Sequence, residues 1–167
     1  MSAAGDAPPR LFTIGYEGAD VARVIDALRA AGVTTLLDVR DAPISRKPGF
    51  SKRALEAALA AAGIAYVHLR WLGNPKPGRE AGRAGDIPTY HRIYFARLAT
   101  PEAQAQLAEA DAIAGKGSAC LLCYERDPAL CHRTILAGSL RERSGYAVED
   151  LFASALREDS SKFNVEK

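Results

Sequence analysis

Residues 118–145, "SACLLCYERDPALCHRTILAGSLRERSG", change character twice within 28 positions. The stretch Ser118–Glu125 is an aliphatic run of strand length, of the kind that fills a sheet covered on both faces. Asp127-Pro128 suits a turn cap, with proline at a first helical position. From Leu130 to Gly145 the pattern turns helical. A strand feeding a helix is half of a βαβ unit, so the fold depends on whether the chain repeats it.

The pattern does repeat on both sides. "LFTIGY" (11–16), "TTLLDVR" (34–40), "AYVHLR" (65–70) and "YAVEDLF" (146–152) read as further strands. Between them, Val21, Val24, Ile25 and Leu28 fall at helical spacing, with Asp20 as N-cap and Gly32 past the end. Leu55, Ala58, Leu59 and Ala62 form the apolar face of a second helix, between Ser51 as N-cap and Gly63. "TYHRIYFARLA" and "PEAQAQLAEADAIAG" read as one helix or two, with the break expected at Pro101, which disfavours helical geometry at Thr100.

Alternating strands and helices imply a mostly parallel sheet with right-handed crossovers, a three-layer α/β/α Rossmann-like sandwich of about five strands. The expected order is 3-2-1-4-5, which sets the first and fourth strands side by side. A ligand then belongs outside the strand carboxyl ends, near the switch in strand order. Residues 11–155 read as one α/β domain, 1–10 as an N-terminal arm and 156–167 as a polar tail. Residues 71–88, rich in Gly, Pro and Arg, read as a flexible loop insertion.

The 167 residues suffice for one core, and 48% hydrophobic with 25% charged residues is ordinary globular composition. The first ten residues lack the apolar segment of a secretory signal, and no run approaches the roughly 18 apolar residues of a membrane span. Three cysteines, an odd number, do not outline a disulfide framework. A cytoplasmic protein without membrane partners is expected. Oligomeric state leaves no signal. Residues 40–97 hold eleven Lys and Arg against four Asp and Glu, and the remainder eleven against sixteen. That basic middle third is either a solvated surface or an anion-facing one.

Ionisable residues gather at the expected carboxyl ends. Asp38 and Arg40 share one face of a strand that should be aliphatic. They are either an ion pair closing the strand or a site carboxylate and its ligand-binding guanidinium. Cys123 and Glu125 share a face of the fourth strand; Cys120 lies on the other and reads as core. Cys131, His132 and Arg133 fall at a helix start, where free N–H groups and the helix dipole favour anions and thiolates. Tyr16 and Glu17 gain interest only from their place at the switch. His68 and His91 read as ordinary core or surface histidines, and Trp71 as rim packing.

Four chemistries compete for these residues. Cys120, Cys123, Cys131 and His132 spell C-x2-C-x7-C-H, but strand parity and the roughly 100° divergence of adjacent helical residues argue against a tetrahedral metal site. A Cys123–Cys131 redox pair lacks the C-x-x-C of a helix start. A nucleophilic thiol suits Cys131 by environment and Cys123 by position, but no arginine stands six residues after either, as a phosphatase loop requires: Ala129 and Ala137 stand there. An anion pocket suits Arg40, Arg46 and Arg133, with Asp38 or Glu125 as acid or base. The usual phosphate-binding glycine loops are absent.

The blocks "TIGY", "LLDVRDAPISRKPGFSK", "GIAYVHLRWLG" and "LLCYERDPALCHR", in that order, resemble the uncharacterised family called domain of unknown function 488, from about Leu11 to Phe152. The resemblance implies an α/β fold and signature positions at Asp38, Arg40, Ser45, Phe50, Leu72, Gly73, Cys123, Glu125, Cys131, His132 and Arg133. It implies no reaction. The chain departs from the pattern at Glu17-Gly18, at Asn74, and at "VEDL" on the last strand.

The expected function is that of an enzyme acting on an anionic, phosphate-bearing or nucleotide-like substrate, with no cofactor. Asp38, Cys123, Glu125, Cys131 and His132 are the candidate catalytic residues. Tyr16, Arg40, Ser45, Arg46, Gly73 and Arg133 are the candidate binding residues. This requires Asp38, Cys123 and Arg133 to line one cleft. The alternatives are a nucleic-acid-binding module using the basic 40–97 segment, and a structural or partner-binding domain.

Overall fold

Over residues 7–154, which the computed structural model describes, strands and helices alternate along the chain. They run β1 (Arg10–Gly15), α1 (Val21–Ala30), β2 (Thr35–Asp38), α2 (Lys52–Ala61), β3 (Ala65–His68), α3 (Lys76–Arg83), α4 (Ile87–Leu98), α5 (Pro101–Ala114), β4 (Ala119–Cys123), α6 (His132–Ser144) and β5 (Ala147–Leu151). The expected tail and most of the expected arm lie outside the described residues. Among the described residues, no helix is long and apolar enough to cross a membrane.

All five strands are parallel, in the order β3-β2-β4-β1-β5. This confirms the α/β sandwich and corrects the strand order: β4, not β1, lies next to β2. The reason is polarity. β5 takes an edge in either order, but its Glu149 and Asp150 need polar partners, which β1 offers in Arg10 and Thr13 and the wholly buried, apolar β4 does not. On that edge Arg10 pairs with Glu149, and the Thr13 hydroxyl donates to Asp150 at 2.5 Å. The first and fourth strands remain neighbours, as expected.

Two cores lie on the two faces of the sheet. Phe12, Ile14, Leu36, Cys120 and Leu122 pack with Val24, Leu28, Leu55 and Leu59 of α1 and α2. Leu11, Leu37, Val39 and Leu121 pack with Tyr94, Leu107 and Leu136 of α4, α5 and α6. The chain leaving β1 crosses one face through α1 towards β2. The chain leaving β4 crosses the other through α6 towards β5. Their divergence opens a crevice at the carboxyl ends of β1 and β4.

Caps follow the sequence with one change. Asp20 accepts from the Arg23 N–H at 2.9 Å and starts α1. Ser51 stands at the N-cap of α2, but its hydroxyl accepts from the Ser45 N–H at 3.1 Å and so holds the 41–50 loop instead. Residues 71–88 are not the expected loop. They hold α3, with Pro75 at its N-cap and Pro77 in its first turn, and the start of α4. Two of their glycines serve close packing: a Cβ on Gly73 would stand 2.1 Å from the Asp41 nitrogen, and one on Gly78 2.0 Å from the Asn74 Oδ1.

Candidate functional site

Gly15 lies in register with Cys123 where β1 and β4 end. Beyond the strands, the Tyr16 N–H donates to the Cys123 carbonyl at 3.2 Å and the Glu17 N–H to the Tyr124 carbonyl at 2.8 Å. The Glu17 carboxylate accepts from the Arg126 N–H at 3.2 Å. A Cβ on Gly15 would stand 1.7 Å from the Glu125 carbonyl oxygen, so only glycine lets the two loops close.

The chain then turns back on itself. Asp127 accepts from the Ala129 N–H at 2.9 Å and starts a 3₁₀ turn, Pro128–Leu130. Cys131 is extended, at φ −125° and ψ 140°, and stands at the N-cap of α6. This path lays Cys131 and His132 over Cys123. His132 Nδ1 is 3.6 Å from Cys123 Sγ and 3.8 Å from Cys131 Sγ, and the three atoms lie within 4.8 Å of one another. Strand parity and helical divergence predict otherwise because they treat 123–132 as regular strand and helix. Cys120 does stay out, buried in the opposite core.

The His132 ring is fixed from behind. Its Nε2 donates to the Val39 carbonyl at 2.8 Å, since a carbonyl only accepts, and Tyr94 meets the ring edge-on with centroids 5.0 Å apart. In neutral imidazole, Nδ1 is then the bare nitrogen, facing both thiols. Burial opposes ionisation of Cys131, but the Cys123 thiol, the charge and hydrogen bond of His132, and Arg133 outweigh it and hold Cys131 well below the ordinary thiol range. Cys123 moves up, through its hydrogen bond to Cys131 and then through burial. Burial opposes the imidazolium of His132, and Cys131 outweighs it, so His132 moves up as well. Burial, then the Cys131 charge, pushes Glu125 up to about 7; its carboxylate lies 3.5 Å from Cys123 Sγ. The cluster can therefore hold a thiolate, exchange a proton between sulfur and nitrogen, and offer a carboxyl that titrates near neutrality.

Asp38 stands apart from this cluster. In register with Leu122, it shares the α1/α2 face with Cys120, whereas Cys123 points to the α6 face. Arg40 grips it bidentately, Nε to Oδ1 at 2.8 Å and a terminal nitrogen to Oδ2 at 2.7 Å, and the Tyr66 hydroxyl donates to Oδ2 at 2.5 Å. Arg40 also donates to the Phe50 carbonyl at 2.7 Å and to the Tyr16 hydroxyl at 3.2 Å. Asp38 is fully buried and does not line the cavity, so the ion-pair alternative is the one realised.

Arg133 is likewise not placed to hold an anion. It is fully buried, donates to the carbonyls of Glu125 and Arg126 and to the Thr13 hydroxyl, and does not face the cavity. The α6 register that seats His132 over Cys123 turns the next residue inward. Gly73 is also outside the cavity and serves backbone packing. The requirement that Asp38, Cys123 and Arg133 share one cleft therefore fails, and the expected site that used Asp38 and Arg133 falls with it; Cys123, Glu125, Cys131 and His132 do converge, so any anion-binding reading must rest on them and on the cavity's other cations. His68 behaves as expected, bonded through Nε2 to the Arg40 carbonyl at 2.8 Å. Trp71 packs under Arg97 at the surface.

A cavity of about 730 Å³ opens over the cluster. Cys123, Glu125 and His132 form one wall, and Tyr16 and Arg40 line it at the end of β1 and β2. Ser45 and Arg46 come from the 41–50 loop, Asn74, Arg79 and Arg83 from the α3 segment, and Ile87, Tyr90 and His91 from α4. Sequence reasoning missed the α3 and α4 contributions. The spacing 87, 90, 91 and 94 marks one helical face, but nothing local says that it meets His132. Asp41 takes Arg97 at 3.1 Å and Arg79 at 3.4 Å, whereas Arg46 and Arg83 have no ion pair among the described residues. Asn74 Oδ1 is buried without a hydrogen-bond partner among the described residues.

The family model described as Domain of unknown function DUF488 matches residues 20–140, well over half of the chain. No curated protein and no solved structure matches it.

Proposed function

Because the chain belongs to the family Domain of unknown function DUF488, to which no reaction is assigned, we propose from geometry that it is an enzyme acting on a small anionic substrate, phosphate-bearing or nucleotide-like. The observation that carries this reading is one cavity bordered by a Cys123–His132–Glu125 wall and by two arginines, Arg46 and Arg83, without ion pairs among the described residues. A volume of about 730 Å³ suits a small organic anion. Arg46 and Arg83 would take the charge, Tyr124 offers an exposed ring at the mouth for stacking, and the cluster would act on the reacting end. Arg40 assists by shaping the wall, since Asp38 neutralises it.

The basic middle segment supports a nucleic-acid module less well. Asp38 and Asp41 take up Arg40, Arg79 and Arg97, three of its cations.

Titration calorimetry with inorganic phosphate and nucleoside monophosphates tests the proposal. One site per chain is expected, weakened tenfold or more by Arg46→Ala with Arg83→Ala. Binding untouched by these changes, or only salt-steep binding of bulk DNA and RNA, would sink it.

A further inference from the structure

We infer that Cys123 Sγ, Cys131 Sγ and His132 Nδ1 are three ligands of a thiophilic divalent ion, zinc by their chemistry, with the fourth position open to the cavity beside Glu125. This rests on the reading that the cluster is the reactive centre, and it names what that centre carries.

A tetrahedral ion with Zn–S of about 2.3 Å and Zn–N of about 2.0–2.1 Å spaces neighbouring S and N ligands about 3.6 Å apart and two S ligands about 3.8 Å. The observed S–N distances are 3.6 and 3.8 Å, and all three ligand atoms lie within 4.8 Å of each other. The S–N distances already fit, and closing the sulfurs from at most 4.8 Å to about 3.8 Å takes a shift of about 1 Å or less, within reach of the cysteine rotamers.

The surroundings are those of a ligating histidine. Such a ring donates its second nitrogen to a carbonyl or carboxylate, which fixes the tautomer and aims the other lone pair. The Nε2–H bond from His132 to the Val39 carbonyl does this. Arg133 holds the Glu125 and Arg126 carbonyls from beneath, so the loop between the ligands keeps its shape.

Charge and protons balance. Binding releases two protons, one from the Cys123 thiol and one shared by Cys131 and His132. Two thiolates and a neutral imidazole then cancel the double charge of the ion, which suits a buried site. Sulfur and imidazole donors select zinc over magnesium or calcium. Three protein ligands with one open position is the pattern of a catalytic rather than a structural zinc. Glu125 meets Cys123 at 3.5 Å but stands outside the group of three, placed to accept a proton from whatever oxygen occupies the open position.

The full chain, reduced and stripped with chelator, is titrated with Zn²⁺ and separately with Co²⁺. One ion per chain is expected, with thiolate-to-cobalt charge-transfer absorption and tetrahedral ligand-field bands. Cys131→Ser and His132→Ala should each weaken binding 100-fold or more, beyond the roughly 10–100-fold that loss of an outer partner costs. Cys120→Ser should leave it unchanged. In the unaltered chain, which removes any concern about folding of the variants, Zn²⁺ should slow alkylation of Cys123 and Cys131 together, as read by mass spectrometry. No uptake, uptake indifferent to Cys131 and His132, or closure of Cys123 and Cys131 into a disulfide that no metal prevents would overturn the inference. Phosphate binding followed on the same stripped sample reports on the anionic-substrate reading separately: it persists if only the metal site is wrong, and is missing if the cavity reading is wrong.

Discussion

His132 reaches across the sheet end to Val39, its Nε2–H donating to the Val39 carbonyl at 2.8 Å. This bond ties the first turn of α6 to the end of β2 and leaves Nδ1 facing two sulfurs. His132→Gln should lose that geometry even though its amide can still donate. We expect lower affinity for Zn²⁺ with little change in phosphate affinity, measured by parallel titrations.

The Asp38–Arg40 pair should behave as structure. Removing one partner leaves the other buried and uncompensated, which costs about 3–5 kcal/mol. Asp38→Ala should therefore lower stability by that order in urea denaturation, and Asp38→Ala with Arg40→Met should recover part of it. A normally stable Asp38→Ala that has lost ligand binding would instead make Asp38 a site carboxylate.

Gly15 supports the site by lacking a side chain. In Gly15→Ala the new methyl meets the Glu125 carbonyl oxygen, which is held by Arg133. Destabilisation of about 1–3 kcal/mol is expected, as for other overpacked positions. Loss of Zn²⁺ and phosphate binding should accompany it. Gly18→Ala, with nothing near its Cβ but a φ of +75°, should cost about 1–2 kcal/mol in backbone strain and spare the site.

Glu125 makes the stability of the metal-free chain depend on pH. Its folded value, pushed up to about 7, exceeds the unfolded value near 4.5, so the folded state binds the proton more tightly. Its contribution is fully present below about pH 4.5 and is lost as pH rises towards 7. Glu125→Gln, which cannot ionise, should melt higher than the parent chain at pH 8, by an amount on the order of 1–2 kcal/mol. The difference should close near pH 4.5. An equal difference at both pH values would show that Glu125 does not carry the linkage.

Arg133 fans across three acceptors, two carbonyls of the loop after β4 and the Thr13 hydroxyl of β1. Arg133→Lys keeps the charge but cannot serve them all in plane, so a loss of about 1–3 kcal/mol is expected. Intrinsic phosphate affinity, measured well below the melting temperature, should hold. A selective loss of phosphate affinity would return Arg133 to the anion-binding set.

Local pattern carried the elements. Asp20 and Gly32 bound α1, Pro101 parts α4 from α5, and the buried run 119–123 is a strand, because each signal depends on neighbours within one turn or one pleat. It also brought out the residues of the site, since Cys123, Glu125, Cys131 and His132 are conspicuous beside an aliphatic strand. Residues 71–88 misled because Gly and Pro, which usually mark loops, here serve a helix start and close backbone packing.

Tertiary structure alone decided which of the ionisable residues meet. Asp38 and Cys123 end neighbouring strands, but the β2–β4 register sets them on opposite faces, and that register joins residues about eighty positions apart. Cys131 and His132 meet Cys123 through one 3₁₀ turn and one extended residue, a departure too short to alter any periodicity. The sequence by itself determined the kind of each element and the chemistry at its end. Long-range strand pairing and one irregular loop determined which of those ends form a site, because faces and registers are set by contacts that no local window contains.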